Sequence, residues 1–298
     1  MIQEELERRI KTTTDLQSIV KTMKMLSSVS VCQYEKVLSS LTQYAKTLQE
    51  AFHGLFTQSF FNYVPPETKA TTPKVLAIVI GSDNGLVGRF NKEILKFVQK
   101  FCSELGTSQN QVRIIGVGKR ITALAPTMNF HVAHSYSISN SIKEIATLAG
   151  MILTKIDNET SLHHFDLVQI FYNKQQNFSF APQTRQLMPL SRSDFLQLKK
   201  TPWEGRMPPL VTAGKEELFS ALLHEYFIIR LTNALTTSLA AEHFTRMNHM
   251  QQAEKNIEEK LNILNLQYQQ ARQTQITDEL IDIVSGATAI NKKKEVPT

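Results

Sequence analysis

Glycine and proline are missing from both ends of this chain. Neither occurs in residues 2–53 or 215–285. Apart from Gly286 and Pro297, the 11 glycines and 10 prolines all fall between Gly54 and Gly214. That absence excludes a chain built throughout of short elements, because tight turns rely on these two residues. It predicts a helix, a globular middle and a second helix. Cysteine is also scarce. Cys32 and Cys102 are the only two in 298 residues, which excludes a disulfide-stapled scaffold and fits a reducing compartment. No apolar run reaches the length that a membrane-spanning helix needs. The start, Met1-Ile2-Gln3-Glu4-Glu5, is acidic where a signal peptide would be basic and a transit peptide arginine-rich. The expectation is a mature chain that begins here, in a cytoplasm. Neither sign of charge dominates: 33 Lys and Arg against 27 Asp and Glu leave a net charge of +6. Nucleic acid, a membrane surface or an acidic protein would each suit that balance.

Catalytic signatures are lacking as well. Gly81-Ser82-Asp83-Asn84-Gly85-Leu86-Val87-Gly88 lies where a dinucleotide fingerprint would lie, but Asp83 stands where the second glycine belongs. A carboxylate there would repel a pyrophosphate. No phosphate-binding G-x-x-x-x-G-K-[ST] occurs, since Gly214-Lys215 is followed by Glu216. The histidine pairs His131/His134, His163/His164 and His243/His249 have no third ligand at metal spacing, so solvated or capping roles are expected. Glu258, Glu259, Asp278 and Glu279 read as a solvated helix face. No catalytic, cofactor-binding or metal residue is assigned, and function is expected to lie in shape and contacts.

What is present is periodicity. The first segment carries Ile2, Leu6, Ile10, Leu16, Ile19, Val20, Met23, Leu26 and Val29, then Val37, Leu41, Tyr44, Leu48 and Phe52. Steps of three and four mark one apolar stripe on a helix. The last segment repeats the pattern from Leu218 through Leu235, Leu264 and Ile276 to Leu280 and Ile283. At 1.5 Å per residue it would reach roughly 100 Å, too long to stand alone. The two segments are expected to pair as a long antiparallel coiled coil.

The middle opens with a proline-bearing linker, residues 64–73. Val75–Ile80 is a continuous apolar run, typical of a strand buried on both faces. A turn at 81–88, a helix at 90–105, a strand at 112–117, a helix behind a capping box at Ser141–Glu144 and a strand at 166–172 follow. This alternation predicts a Rossmann-like α/β domain with a mostly parallel sheet. Five prolines between Pro182 and Pro209 predict an irregular return to the last helix. The tail at 291–298 is expected to fray. The boundaries expected are 1–60 for the first helix, 74–210 for the α/β domain and 211–290 for the last helix.

Three stretches resemble the gamma subunit of F-type ATP synthases. Arg8-Arg9-Ile10 with Ile19-Val20-Lys21-Thr22-Met23-Lys24-Met25 is similar to the family's amino-terminal pattern. Ser82-Asp83-Asn84-Gly85-Leu86-Val87-Gly88-Arg89-Phe90-Asn91 is similar to its S-D-x-G-L-x-G-x-x-N. Arg246-Met247 with Met250, then Tyr268, Ala271-Arg272-Gln273, Ile276-Thr277, Glu279-Leu280 and Ile283-Val284-Ser285-Gly286-Ala287, are similar to its carboxyl-terminal signature, the most specific of the three. Gln269 replaces the family's usual Asn, and Ser27, Ser28 and Ser30 replace its basic residues. Gly81 and Arg89 resemble an alternative, sodium-type bacterial branch.

The resemblance implies a non-catalytic central rotor stalk that couples ion flow through the membrane c-ring to ATP synthesis or hydrolysis. Its implied partners are the alpha and beta subunits, the epsilon subunit and the c-ring, at the cytoplasmic face of a bacterial inner membrane, with no cofactor and no nucleic acid. It implies that Lys21, Met23, Lys24, Arg272, Gln273 and Thr277 face the beta subunits. One competing reading is a small Rossmann-like nucleotide-binding enzyme with helical arms, which nucleotide binding by the isolated chain would reveal. A basic coiled-coil nucleic-acid binder is a third. It would cluster its basic residues with aromatic ones, and here they are scattered.

Overall fold

The computed structural model describes residues 2–58, 73–108, 111–138, 141–200 and 214–294. Two very long helices, α1 (Ile2–Gln58) and α6 (Lys215–Lys294), bracket an α/β middle. Between them run β1 (Val75–Ile80), α2 (Phe90–Glu104), β2 (Val112–Val117), α3 (Lys119–Leu124), β3 (His131–Tyr136), α4 (Ile142–His163), β4 (Leu167–Gln176), β5 (Ser179–Met188) and α5 (Arg192–Lys200). Most of the linker at 64–73 and the prolines at 202, 208 and 209 lie outside the described residues. Among the described residues no helix is long and apolar enough to cross a membrane.

The chain divides into two compact units, residues 1–26 with 247–298 and residues 27–246. In the larger unit, five strands lie in the order β3-β2-β1-β4-β5, parallel except for the antiparallel β4–β5 pair. Every residue of β1 is buried, as its central position requires. Alternate residues face opposite ways. Leu76, Ile78 and Ile80 share a core with α1, α4 and α6, while Val75, Ala77 and Val79 pack with α2 and α3.

The helices flanking this sheet run antiparallel. Tyr34 packs beside His243 at 5.5 Å, Tyr44 donates to Glu225 at 3.0 Å, and Phe52 meets Phe219 and Tyr226 edge-on. In the smaller unit, Lys24 pairs with Glu254 and Gln3 donates to Tyr268 at 3.2 Å. That again is antiparallel.

Several expectations need correction. The buried stripe of α1 in the larger unit runs through Ser27, Val31, Tyr34, Leu48, Phe52 and Leu55, with Val29 left 57% exposed. Leu16, Ile19 and Leu26 are likewise exposed. In the smaller unit α1 begins opposite Tyr268. The rest of α6 therefore runs on with Ile276, Leu280 and Ile283 exposed. The expected irregular stretch after Pro182 is instead a ten-residue edge strand, with Pro182 opposite Asn173. An edge tolerates proline because only one side of its backbone must pair. β3, unread in the sequence, closes the other edge. Ser141 is the N-cap of α4, but its hydroxyl makes no capping bond. A side-chain cap forms at α5 instead, where Asp194 N–H donates to Ser191 Oγ and Ser191 Oγ–H donates to Asp194 Oδ2. The helix also passes Gly286 and continues to Lys294; residues 295–298 of the tail expected to fray lie outside the described residues.

Gly118 joins β2 to α3 with φ at 116°. A Cβ there would sit 2.9 Å from the Ser82 carbonyl oxygen and 3.0 Å from its carbonyl carbon, and main chain cannot swing aside. Gly118→Ala is expected to cost about 2–3 kcal/mol, read as a lowered midpoint in urea unfolding with an unchanged slope.

Candidate functional site

The turn after β1 is tied down by its own polar groups. Ser82 N–H donates to Asn91 Oδ1 at 2.9 Å, and Asn91 Nδ2 donates to Ser82 Oγ at 2.8 Å. Asp83 accepts from Lys119 N–H at 2.8 Å and from the Ser137 hydroxyl. Its carboxylate thus occupies the N-terminus of α3, the place a phosphate would take. Leu86 and Gly88 turn the chain with φ of 64° and 57°. A Cβ on Gly81 would fall 2.5 Å from both Asn91 Oδ1 and Ile121 Cβ. The glycine therefore serves close packing of the turn on α2 and α3.

One face of this turn rests on a buried polar cluster of α6. Arg246 Nε reaches the Gly85 carbonyl at 3.5 Å, and its Nη2 pairs with Glu242 one helical turn back. Both side chains are at least nine-tenths buried. Burial pushes Glu242 up to about 7, against the pull of Arg246. Burial, with Arg246 beside it, pushes His243 down to about 4, so its ring is neutral at pH 7. This corrects the solvated or capping role expected for His243. His134 likewise bonds the buried Glu159 at 2.8 Å. The arrangement can hold two elements in fixed register.

The residues expected to meet partners all lie in the smaller unit. Lys21 is exposed, and Met23 and Lys24 are half-buried, with Lys24 engaged by Glu254. Arg272, Gln273 and Thr277 are exposed, and the Thr277 hydroxyl donates to the Gln273 carbonyl at 2.9 Å. The structure does not bring the two groups together. Arg272 is about 27 Å along α6 from Glu254, at 1.5 Å per residue. Glu258, Glu259, Asp278 and Glu279 form the exposed face anticipated for them.

Two features went unread. Arg8 and Arg9 line a groove with Glu5, Leu16 and Lys260. Beyond Tyr268, Ile276, Leu280, Ile281, Ile283 and Val284 are each 48–67% exposed. Exposed apolar runs of this kind mark interaction surfaces. The signal for this one was the unequal length of the two Gly- and Pro-free segments.

Comparison with known proteins agrees with this architecture. The family model described as ATP synthase matches residues 3–290. The ATP synthase gamma chain of Wolbachia sp. subsp. Brugia malayi is 29% identical over 296 residues, spanning 96% of this chain and 98% of its own. That of Staphylococcus haemolyticus is 28% identical over 297 residues, with the same coverage. Among solved structures, a chain of the Euglena gracilis mitochondrial ATP synthase (OSCP/F1/c-ring) shares the fold with a TM-score of 0.65 at 16% identity, covering 100% of this chain and 97% of its own. A chain of the Tetrahymena thermophila central stalk/c-ring structure superposes with a TM-score of 0.56 at 24% identity, over 79% of this chain and 99% of its own. Matched along almost its whole length, the chain belongs to the ATP synthase gamma-chain family.

Proposed function

We propose that this chain is the rotating central stalk of an F-type ATP synthase and carries out no ATP chemistry itself. The observation that carries this reading is the far end of α6, where Ile276, Leu280, Ile281 and Ile283 are each about half or more exposed. A surrounding sleeve of alpha and beta subunits would cover that end. The α/β domain would rest on the epsilon subunit and the c-ring, at the cytoplasmic face of a bacterial membrane. Rotation then presents a different face of the stalk to each catalytic site, so nucleotide affinity there depends on stalk angle, a coupling between distant sites.

Under this reading Lys21, Met23, Lys24, Arg272, Gln273 and Thr277 meet the beta subunits. A stalk that must turn cannot interlock deeply with its bearing. Polar groups that bond and release at discrete angles can instead mark its resting positions. Arg272 suits this, because a guanidinium grips a carboxylate through two parallel bonds. Arg272→Ala with Gln273→Ala, both at exposed helical positions that accept alanine, is expected to leave the chain folded. Coupled ATP turnover by the assembled complex should fall by roughly tenfold, as the loss of one charge-assisted hydrogen bond predicts. Normal assembly with wild-type turnover under the same ion gradient would refute the torque role of this pair.

A further inference from the structure

A small cavity of about 90 Å³ lies in the larger unit, walled by α1, β5, α5 and α6. That is room for several waters. Its lining is of two kinds. Leu48, Leu198 and Ile229 are apolar, and Arg185 and Arg230 are cationic. An apolar lining with a few placed polar groups is how ligand pockets are built.

Arg230 is a built-in group, with its side chain 7% exposed. Its Nη1 donates to the Gln186 carbonyl at 3.2 Å and to Asp194 Oδ2 at 2.8 Å, and its Nη2 donates to Asp194 Oδ1 at 2.5 Å. Those contacts use three of its five donors. Its guanidinium also stacks 4.5 Å from the centroid of Tyr226. Asp194 is the acidic group lining the cavity, and Arg230 neutralises it. Arg185 is exposed on the edge strand, and its charge acts, with that of Arg230, on the same Asp194 carboxylate. On α1, Lys46 and Glu50 flank the lining residue Gln49 and pair with each other at 3.9 Å. The lining thus sets two guanidinium groups against one carboxylate, a net charge of +1.

The geometry points to a binding site for a small monocarboxylate, held through its oxygens by Arg185 and Arg230 with its short alkyl part against Leu48 and Leu198. A carboxylate matches the planar guanidinium fork. Phosphate, with about two charges at neutral pH, would overcompensate Arg185 and leave polar oxygens against the leucine wall. Occupancy would tie α5 to α1 and α6.

The test uses the full-length chain and propionate, followed by NMR of the arginine side-chain N–H signals and by calorimetry. Saturable binding with a Kd on the order of 1 mM is expected for a ligand of this size. n-Propanol, which has the tail without the charge, and phosphate at matched ionic strength should not saturate. Arg185→Gln, at an exposed position outside the buried core, is expected to weaken propionate binding by about tenfold with an unchanged melting temperature. A response linear to 50 mM, equal binding of phosphate, or equal propionate affinity in Arg185→Gln would each overturn the assignment. The proposal does not depend on rotation, so its failure leaves the stalk reading untouched.

Discussion

Replacing Arg246 with Ala is expected to destabilise the full-length chain by about 3–5 kcal/mol at pH 8, the range found when one partner of a buried ion pair is removed. Arg246 has two tasks. It neutralises Glu242 inside the fold, and it donates to the Gly85 carbonyl of the turn after β1. Alanine would leave a buried carboxylate without a counter-charge and a turn carbonyl without its donor. The carboxylate can escape only by taking up a proton, so the loss should shrink as pH falls. Glu242→Gln combined with Arg246→Ala should recover a large part of the loss, because the uncompensated charge is then gone. Urea unfolding of the four proteins of this cycle gives the coupling directly. If Arg246→Ala costs under about 1 kcal/mol, or if the double variant is as unstable as the single one, the pair does not anchor the turn.

How far the fold could be read from the sequence depended on whether neighbours in the chain or neighbours in space set the pattern. The run Val75–Ile80 is apolar at every position because β1 is the central strand with helices on both faces, and that reading needs no tertiary knowledge. The missing glycines and prolines revealed α1 and α6 for a similar reason. β5 stayed hidden because Pro182 and Pro189 resemble punctuation, whereas the strand is an edge paired on one side only. Glu242 and Arg246 are spaced i, i+4, which on an isolated helix reads as a solvated surface pair. Tertiary packing, with the 81–88 turn and Tyr34 of α1 against this part of α6, buries them. The seam of α1 was misjudged for the same cause: Ser27 is polar yet 3% exposed, while Leu26 beside it is 64% exposed. For the residues proposed to contact partners, local pattern places Arg272, Gln273 and Thr277 on a helix, and the structure adds that they are exposed. Family resemblance alone singled them out, since several other exposed polar residues share their helix.

The same buried cluster makes acid stability a test of its charges. The ordinary pKa of histidine is near 6.5, and His243 is pushed down to about 4 by burial and by Arg246. Below pH 6.5 the unfolded chain takes up a proton that the folded chain refuses, so this group removes stability as pH falls from 6.5 to 4. At 1.36 kcal/mol per unit, the full effect is about 3 kcal/mol. Glu242 acts in the opposite sense. Burial raises it from 4.5 to about 7, so the folded chain binds that proton more readily, and stability is gained as pH falls from 7 to 4.5. Between those limits the two groups offset each other, and the wild-type chain should show a nearly flat profile. Asp194 and Glu159 add to the loss only at lower pH. Burial alone would raise both, but Arg230 and Ser191 for Asp194, and His134, His163 and Arg113 for Glu159, outweigh it and hold them below the ordinary carboxylate value. Their stabilisation persists above that value and disappears as pH falls through the lowered one. Glu242→Gln should therefore expose the histidine, losing about 3 kcal/mol between pH 7 and pH 4 where the wild type loses little. His243→Phe should do the reverse and gain stability over the same interval. Unfolding free energies measured at half-unit steps decide the matter: parallel profiles for wild type and Glu242→Gln would mean that Glu242 does not take up its proton in this range.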